Sequence, residues 1–350
     1  MQQHTEHRAQ DSSARADIGL PPRPYGLRVV EHLPESLGDD VLFCVSHGPA
    51  PTGTDPRYVQ VQLDALRGPA VELWTSPTPV RHGVDQNIRF AENGQVLFGQ
   101  IHLNEAQLAD IDREVFHTYA LLDGFLQRHG YPAWLRVWNF MAQIHAQARE
   151  GDADQERYRQ FVLGRYKALA LKPGFERELP AATAIGTHGD GLTIYFLAAR
   201  TPGTQIENPR QVSAFHYPRE YGPKSPSFSR AMYLPWADGP ELLVSGTASV
   251  VGHRTLHTGH PARQLDETLA NIDSLLQQAT APQGLADARL WQPQQIKLYL
   301  RDPQLLDAVW PQIERAFPPA VAVTALHGDV CRSDLSLEIE ALYRYTGARA

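Results

Sequence analysis

One order of predicted secondary-structure elements occurs twice in this chain of 350 residues, and the repetition constrains the fold more than any other feature. In each half, a hairpin is followed by a long amphipathic helix, a strand and a second helix. The halves share no obvious sequence identity, so the repeat is one of architecture alone. Mixed sheets with helices packed on one face bury such elements. The sequence therefore predicts an α+β fold of two units.

The first half contains short runs rich in β-forming residues, followed by a helix with clear ends. The predicted strands cover residues 41–45, 58–63, 71–75, 88–90, 96–98 and 135–138. Asn93-Gly94 suits the tight turn of a hairpin. Asn104 with Gln107 predicts an N-cap, apolar residues recur at helical spacing up to Leu126, and Gly130 ends the helix. A further helix is predicted from Asn139.

The second half repeats this order after a charged stretch at residues 149–154, which is the predicted linker. Helices are expected at residues 155–170, 265–276 and 303–315. The expected strands are 192–198, 211–217, 242–251, 296–300, 321–326 and 335–342. We accordingly divide the chain into a disordered tail (1–25), an N-terminal α+β unit (26–150) and a C-terminal catalytic unit (151–350).

Charge and composition exclude several classes of protein. The net charge of −7, with no basic stripe, argues against nucleic-acid binding. There is no run of 18 apolar residues, so no membrane span is predicted. Cys44 and Cys331 are too far apart in sequence to suggest a disulfide framework. The polar N-terminal stretch has no secretory h-region, and we expect a cytoplasmic protein.

Residues 207–231 form an unusual segment for an acidic chain. It holds four cationic side chains against two acidic ones, together with several prolines: Arg210, Arg219, Lys224 and Arg230 against Glu207 and Glu220. Such a segment can be a proline-rich surface loop with scattered charges. It can also be a stiff loop that fixes guanidinium groups around an anionic ligand, because planar Arg binds carboxylates bidentately.

Several motifs resemble known families. The second half, over roughly residues 240–345, resembles the RidA/YjgF fold in its segments 243–248, 264–272 and 337–341. From about residue 26 onward, the whole chain resembles the chorismatase family. The matching segments are 156–165, 179–186, 207–231, 245–253 and 331–332, followed by 337–339. The resemblance implies two RidA/chorismate-mutase-like units and no cofactor.

The chorismatase resemblance also implies a reaction and a set of site residues. Chorismatases cleave the enolpyruvyl ether of chorismate into pyruvate and a C7 ring product, which requires an acid that protonates a methylene carbon. Glu338 resembles that catalytic acid, although alternation along its strand would by itself predict a solvated face. The residues expected to bind the substrate are Arg165 and Arg219 for its carboxylates, Tyr217 and Tyr221 as hydroxyls or ring walls, and Gly246 and Ala248, which at a strand end would permit close approach of the ring.

Cys331 bears on the product. In the family, a Cys at this position accompanies members that form hydroxybenzoate, so the resemblance implies 3-hydroxybenzoate, alone or with 4-hydroxybenzoate; a free Cys is equally often a small buried hydrophobe. The alternatives are a hydrolase that forms a dihydroxycyclohexadiene carboxylate, a RidA-like imine hydrolase, and a non-catalytic aromatic-acid-binding protein. His253, His257 and His260 have a spacing that could bind zinc, but the resemblance implies no metal. A monomer or a trimer-like assembly is expected.

Overall fold

Two seven-stranded sheets with helices on their outer faces form most of the protein. The computed structural model describes residues 19–48, 50, 51, 53–147 and 152–347. The α-helices are α1 (Ile111–His129), α2 (Arg157–Leu169), α3 (Pro261–Gln278) and α4 (Leu306–Ala316). The strands are β1 (Gly26–Val30), β2 (Val41–His47), β3 (Tyr58–Val61), β4 (Asp64–Arg67), β5 (Val71–Thr75), β6 (Arg81–Asp85), β7 (Ile88–Glu92), β8 (Val96–Leu103), β9 (Ala133–Ala142), β10 (Ala181–Thr187), β11 (Leu192–Ala199), β12 (Thr204–Ile206), β13 (Ala231–Leu234), β14 (Glu241–Thr247), β15 (Val250–Val251), β16 (Arg254–Thr255), β17 (Trp291–Leu300), β18 (Ala322–His327), β19 (Asp329–Val330) and β20 (Leu337–Tyr345).

The two large sheets have the same internal topology. The first has the strand order β19-β10-β9-β11-β8-β7-β6, and the second has the order β12-β13-β14-β20-β17-β18-β4. Within them, β10-β9-β11-β8-β7 corresponds strand by strand to β18-β17-β20-β14-β13. The pairs β9/β10 and β17/β18 are parallel, and the other pairs of this five-stranded set are antiparallel. The predicted α+β fold of two similar units is therefore confirmed.

The sheets do not divide at residue 150, so the predicted domain boundary is wrong. Strands β10 and β11 lie after that point, but they pair with β9 and β8 of the first sheet. The first unit thus extends to Ala199, and the second begins with β12. The charged residues 149–154 suggested a linker because loops and linkers share a polar composition. Residues 148–151 lie outside the described part of the chain, and Ala153–Gln155 forms a short 3-10 helix before α2.

The end of the predicted tail is part of the folded structure. Residues 1–18 lie outside the described range, but Tyr25 is buried, and its hydroxyl donates a hydrogen bond to the Glu241 carboxylate. Arg23 Nη1 lies 2.8 Å from Asp238 Oδ2. Both contacts join the start of the described chain to the second large sheet, so the expectation of disorder up to residue 25 is wrong at its C-terminal end.

Two predicted elements differ in the structure. The helix predicted from Asn139 is instead the second half of β9, which is buried on both faces between β10 and β11, so that Phe140, Met141 and Ala142 follow one another without polar alternation. The strand predicted at residues 211–217 is a loop with a short 3-10 helix at Ala214–His216, and a second 3-10 helix, Arg219–Tyr221, follows it. Pro209 and Pro218 flank the predicted strand, and proline lacks the N–H that a sheet ladder requires.

Apolar side chains fill three layers. One cluster lies between α1/α2 and the first large sheet, and a second lies between α3/α4 and the second large sheet. The third lies between the inner faces of the sheets, where the four-stranded sheet β1-β5-β2-β3 also packs. No helix in the described residues is long and apolar enough to cross a membrane.

Candidate active site

A cavity of about 290 Å³ lies between the two units, and seven of the eight predicted site residues line it. These residues are Arg165, Tyr217, Tyr221, Gly246, Ala248, Cys331 and Glu338. Helix α2 and strand β10 contribute side chains from the first unit; β14, β20 and the segment after β12 contribute them from the second. Residues far apart in sequence thus meet at one place.

Glu338 lies on β20 and faces the cavity. Alternation along the strand sends Leu337 and Ile339 into the core below α3, so Glu338 faces the other way, towards the first unit. Its side chain is almost fully buried, and among the described residues none donates a hydrogen bond to its carboxyl. Burial, followed by the negative charge of Glu340, raises the Glu338 pKa to about 8. The carboxyl is therefore protonated at neutral pH.

Glu340, two residues further along β20, has the opposite environment. Its carboxylate accepts hydrogen bonds from Trp138 Nε1 at 2.9 Å, from Arg136 Nη2 at 2.9 Å and from Thr183 Oγ1 at 2.6 Å. Lys297 Nζ lies 2.5 Å from its Oε1. Burial alone would raise the Glu340 pKa, but the charges of Lys297 and Arg136 outweigh it and lower the pKa. Two neighbouring carboxyls are thus driven to opposite protonation states.

Gly246 provides the space that the Glu338 carboxyl occupies. It lies in an irregular stretch of β14, where the register with β20 shifts between Val244 and Thr247. A Cβ at residue 246 would lie 2.0 Å from Glu338 Oε1. Gly246 N donates to Thr183 Oγ1 at 3.1 Å, which fixes the backbone beside the acid. The predicted close approach of a substrate ring to Gly246 stays a prediction, and the group that approaches Gly246 in the structure is Glu338.

Arg165 presents unused hydrogen-bond donors to the cavity. Its Nη1 donates to Ser227 O at 2.6 Å, and its guanidinium lies 5.1 Å from the centre of the Tyr119 ring. Its Nε and Nη2 are buried without a hydrogen-bond partner in the described part of the chain. Gly164 allows α2 to approach α1, since a Cβ there would lie 2.3 Å from Asp112 O. A buried guanidinium with free N–H groups is suited to a carboxylate ligand.

The structure does not bring Arg219 to the cavity. Its side chain is 65% exposed, and its Nη2 lies 2.8 Å from Asp154 Oδ2. Arg219 is the first residue of the short 3-10 helix after Pro218 and does not line the cavity. The predicted role of Arg219 in binding a substrate carboxylate therefore has no support in the structure.

Two other arginines line the cavity in its place, and sequence reasoning did not select them. Arg230 Nη2 donates to Tyr217 Oη at 2.7 Å, and its Nε is buried without a partner among the described residues. Arg332 Nη1 donates to His253 O at 2.9 Å, and its guanidinium lies 4.0 Å from the centre of the Tyr221 ring. The segments that contain them are prominent in the sequence, since Arg230 lies in the cationic segment and Arg332 directly follows Cys331. The sequence alone could not predict that both side chains face the cavity.

The two predicted tyrosines act as walls that hold these cations. The guanidiniums of Arg230 and Arg332 lie 5.5 and 5.0 Å from the centre of the Tyr217 ring. The rings of Tyr217 and Tyr221 are 5.5 Å apart. Cation–π contacts in a desolvated site stabilise such an arrangement. Ala248 lines the same cavity through its small side chain.

Cys331 lies beside the acid. Burial, followed by the charge of Glu338, raises the pKa of its thiol to about 12, so it is a neutral thiol rather than a nucleophilic thiolate. The Tyr158 hydroxyl of α2 interacts with this thiol, and burial raises the Tyr158 pKa well above its ordinary value. Cys331 and Tyr158 are therefore weakly polar, uncharged groups in the cavity wall.

The three histidines with zinc-like spacing are not gathered around one point. His253 Nδ1 lies 3.5 Å from Glu220 Oε1, and His257 Nε2 lies 3.5 Å from Glu267 Oε2. Within the described ranges, no group of three or more His, Cys, Asp or Glu side chains could hold a metal ion.

Comparisons with known proteins identify the family of this chain. Residues 72–198 match the family model described as chorismatase FkbO/Hyg5-like, N-terminal. A 3-hydroxybenzoate synthase of Streptomyces hygroscopicus is 37% identical over 87% of this chain and 92% of its own length. A chorismatase of the same organism is 34% identical over 88% and 91%. A crystal structure of a chorismatase superposes with a TM-score of 0.81 at 31% identity, covering 91% of this chain and 98% of the other. The chain therefore belongs to the chorismatase family of enzymes.

Proposed function

We propose that this enzyme cleaves the enolpyruvyl ether of chorismate and releases pyruvate and 3-hydroxybenzoate. The observation that carries the proposal is a buried, protonated carboxyl facing a cavity that also presents partnerless arginine donors. The relatives that share most of the chain's length bear the names 3-hydroxybenzoate synthase and chorismatase. An acid and several cations match a substrate that carries one protonatable methylene and two carboxylates.

Glu338 is the proposed general acid. Its O–H transfers a proton to the terminal methylene carbon, and the electron pair of the carbon–carbon double bond forms the new C–H bond. The adjacent ether carbon becomes an oxocarbenium centre, next to the new Glu338 carboxylate, which stabilises positive charge nearby. The bond between the ether oxygen and the ring then breaks, and its electron pair goes to that oxygen, which becomes the keto oxygen of pyruvate. The ring cation loses a proton as it becomes aromatic, and this proton restores the Glu338 acid. An acid that is neutral at working pH is required because an ionised carboxylate has no proton to transfer.

Arg165, Arg230 and Arg332 are the proposed anchors of the substrate carboxylates. Arg165 comes from the first unit, while the other two come from the second, so they reach the cavity from different sides. The substrate is therefore held at both ends while Glu338 acts between them. Each free N–H that gains a carboxylate partner contributes a charge-assisted hydrogen bond, commonly 1.5–3 kcal/mol.

Cys331 supports hydroxybenzoate as the product. Conversion of chorismate to pyruvate and hydroxybenzoate consumes no net water, whereas the dihydroxycyclohexadiene carboxylate requires one water. The neutral Cys331 thiol fills space beside Glu338 and binds water more weakly than a hydroxyl does. It therefore disfavours a water molecule near the developing cation.

The test is incubation of the purified protein with chorismate. Pyruvate is measured with lactate dehydrogenase and NADH, and the ring product is identified by chromatography. We expect pyruvate and 3-hydroxybenzoate in equal amounts. Release of pyruvate with mainly the diene diol would overturn the product assignment, and binding of chorismate without pyruvate release would identify a non-catalytic binding protein. Ammonia release from 2-iminopropionate would instead indicate the RidA-like activity.

A further inference from the structure

Four charged side chains lie buried together where the three sheets meet, outside the cavity. They are Glu72 on β5, Arg136 on β9, Lys297 on β17 and Glu340 on β20, and we call them the central ion cluster. Lys297 Nζ lies 2.8 Å from Glu72 Oε1 and 2.5 Å from Glu340 Oε1. Arg136 Nη2 lies 2.9 Å from Glu340 Oε2. Each sheet thus contributes at least one member.

The cluster is balanced, with two carboxylates against two cations. Burial would raise the pKa of Glu72, but Lys297 and a hydrogen bond with His47 outweigh it and lower that pKa strongly. The two carboxylates in turn outweigh the effect of burial on Lys297 and raise its pKa. His47 is neutral because burial lowers its pKa. No additional counter-ion is needed.

Glu338 borders the cluster but has none of its partners. Glu340 receives donors from four side chains, whereas Glu338, on the same face of the same strand, receives none in the described chain. The ionisable groups that face Glu338 from the surrounding elements are Glu340 on its own strand, Arg136 on β9, Tyr299 on β17, Tyr158 on α2, and Arg230, Cys331 and Arg332 on loops. Of these, Glu340 exerts the largest electrostatic effect.

We propose that the central ion cluster keeps the general acid protonated. Lys297 and Arg136 hold Glu340 as a permanent anion, and the negative charge of Glu340 keeps the proton on Glu338. Glu72 balances the charge of Lys297. Through Glu72, the four-stranded sheet contributes to catalysis, although this sheet does not line the cavity. The proposal rests on the proposed function, because it explains how the acid of that reaction stays protonated.

A purely structural role explains the cluster less well. Buried ion pairs often add little net stability over apolar residues of similar volume, because desolvation offsets the attraction. The difference in partners between Glu338 and Glu340 also has no structural benefit, since a buried carboxyl without hydrogen bonds is costly. The arrangement is accounted for if one carboxylate must stay charged so that its neighbour stays neutral.

Glu340→Gln tests the proposal through the pH profile of pyruvate release. Without the Glu340 charge, Glu72 still balances Lys297, but Arg136 faces Glu338 without a counter-charge, so Glu338 ionises at lower pH. We expect the pH at which the rate falls to half to move down by at least one unit. Adding Lys297→Met restores the balance between Glu72 and Arg136, so the double variant should move back towards the wild-type profile. Glu241→Gln removes a carboxylate that is equally buried but distant, and should leave the profile unchanged.

A readout that does not use activity separates this proposal from the proposed function. Infrared difference spectra should show a protonated carboxyl in the wild type at pH 7 that is missing in Glu338→Gln and is reduced by at least half in Glu340→Gln. If the wild type releases no pyruvate but has this band, and Glu340→Gln weakens it, the proposed function fails and the cluster proposal stands.

The contrary outcome is a folded Glu340→Gln variant whose rate of pyruvate release is lowered by the same factor at every pH and whose infrared band of the protonated carboxyl is retained. That outcome would show that the cluster only supports the fold. If Glu340→Gln does not fold, Glu72→Gln decides, since it too leaves excess positive charge. Its profile should move in the same direction by a smaller amount, and an unmoved profile would contradict the proposal.

Discussion

Glu338 and Glu340 are separated by one residue on β20, and their contacts assign them different roles. The raised pKa of Glu338 has a consequence for stability that can be measured without substrate. Below the ordinary glutamate pKa of 4.5, both folded and unfolded chains hold the proton. As pH rises towards about 8, the unfolded chain releases it while the folded one retains it, so this contribution to stability is progressively lost.

Glu338→Gln should therefore be stabilising at alkaline pH, because glutamine does not titrate. We expect its free energy of unfolding to equal that of the wild type near pH 4.5 and to exceed it by about 1–4 kcal/mol at pH 8. Urea unfolding at the two pH values measures this. Arg219→Ala, which alters only the exposed pair with Asp154, should follow the wild type at both values. An equal difference at both pH values would mean that Glu338 is not protonated in the folded protein.

Arg165 should contribute mainly to substrate affinity. Arg165→Ala is expected to raise KM for chorismate by about 10- to 100-fold with a smaller change in kcat, corresponding to a lost charge-assisted contact of about 1.5–3 kcal/mol. Arg219→Ala is the matched control, and its KM should stay within about twofold of wild type because the side chain pairs with Asp154 outside the cavity. Equal KM values for the two variants would remove Arg165 from the binding site.

Cys331 should influence the fate of the ring. Cys331→Ala removes the thiol beside Glu338, and the freed volume can admit water near the developing cation. We expect part of the product to become the dihydroxycyclohexadiene carboxylate, measured by chromatography against total pyruvate. Cys44→Ala is the matched control, since Cys44 is buried in the four-stranded sheet and should leave the product ratio unchanged. An unchanged ratio in Cys331→Ala would leave this thiol a packing role only.

Strands β14 and β20 pair beside the Glu338 carboxyl, and Gly246 on β14 lies against that carboxyl. Gly246→Ala would place a Cβ 2.0 Å from Glu338 Oε1, so either the acid or the strand must move. We expect a loss of kcat of at least tenfold. Gly83→Ala on β6 is a suitable control because its Cβ would make only ordinary contacts, 3.5 Å from the Phe90 ring. Normal activity of Gly246→Ala would show that the position of Glu338 at this pocket is not required.

Elements with a strong local signal could be predicted from the sequence. The α1 helix is stopped by Gly130 in the left-handed conformation, as predicted, but it begins after Asp110 and not after the predicted N-cap Asn104. Asn104 and Gln107 form the predicted capping box, although on a short 3-10 helix before α1. The continuation of β9 past Asn139 could not be predicted, because a strand buried on both faces lacks the alternation that identifies strands.

The site residues could be predicted through the resemblance to a family, since alternation on β20 by itself indicated a solvated face for Glu338. The resemblance also selected loop residues that line the cavity, such as Tyr217 and Cys331. In the loop after β12, nothing local distinguishes the inward Arg230 from the outward Arg219. The central ion cluster is contributed by four strands from three sheets, so no motif in the sequence reports it.

For the whole molecule, the boundary between the units, which lies after Ala199, leads to a further prediction. A fragment of residues 151–350 would contain β10 and β11 without their partners β8 and β9, and it would lack most of the first core. We expect this fragment to show no cooperative thermal unfolding by circular dichroism, in contrast to the full chain. A cooperative transition in the fragment would support the division at residue 150.

The most direct test of the central claim is the rate of pyruvate release from chorismate by the wild type and by Glu338→Gln between pH 5 and 9. The account predicts a wild-type rate that falls as pH rises through about 8, where Glu338 loses its proton. It predicts a loss of about 10²–10⁴-fold for folded Glu338→Gln at every pH below that point. A Glu338→Gln variant that releases pyruvate at the wild-type rate would contradict the account.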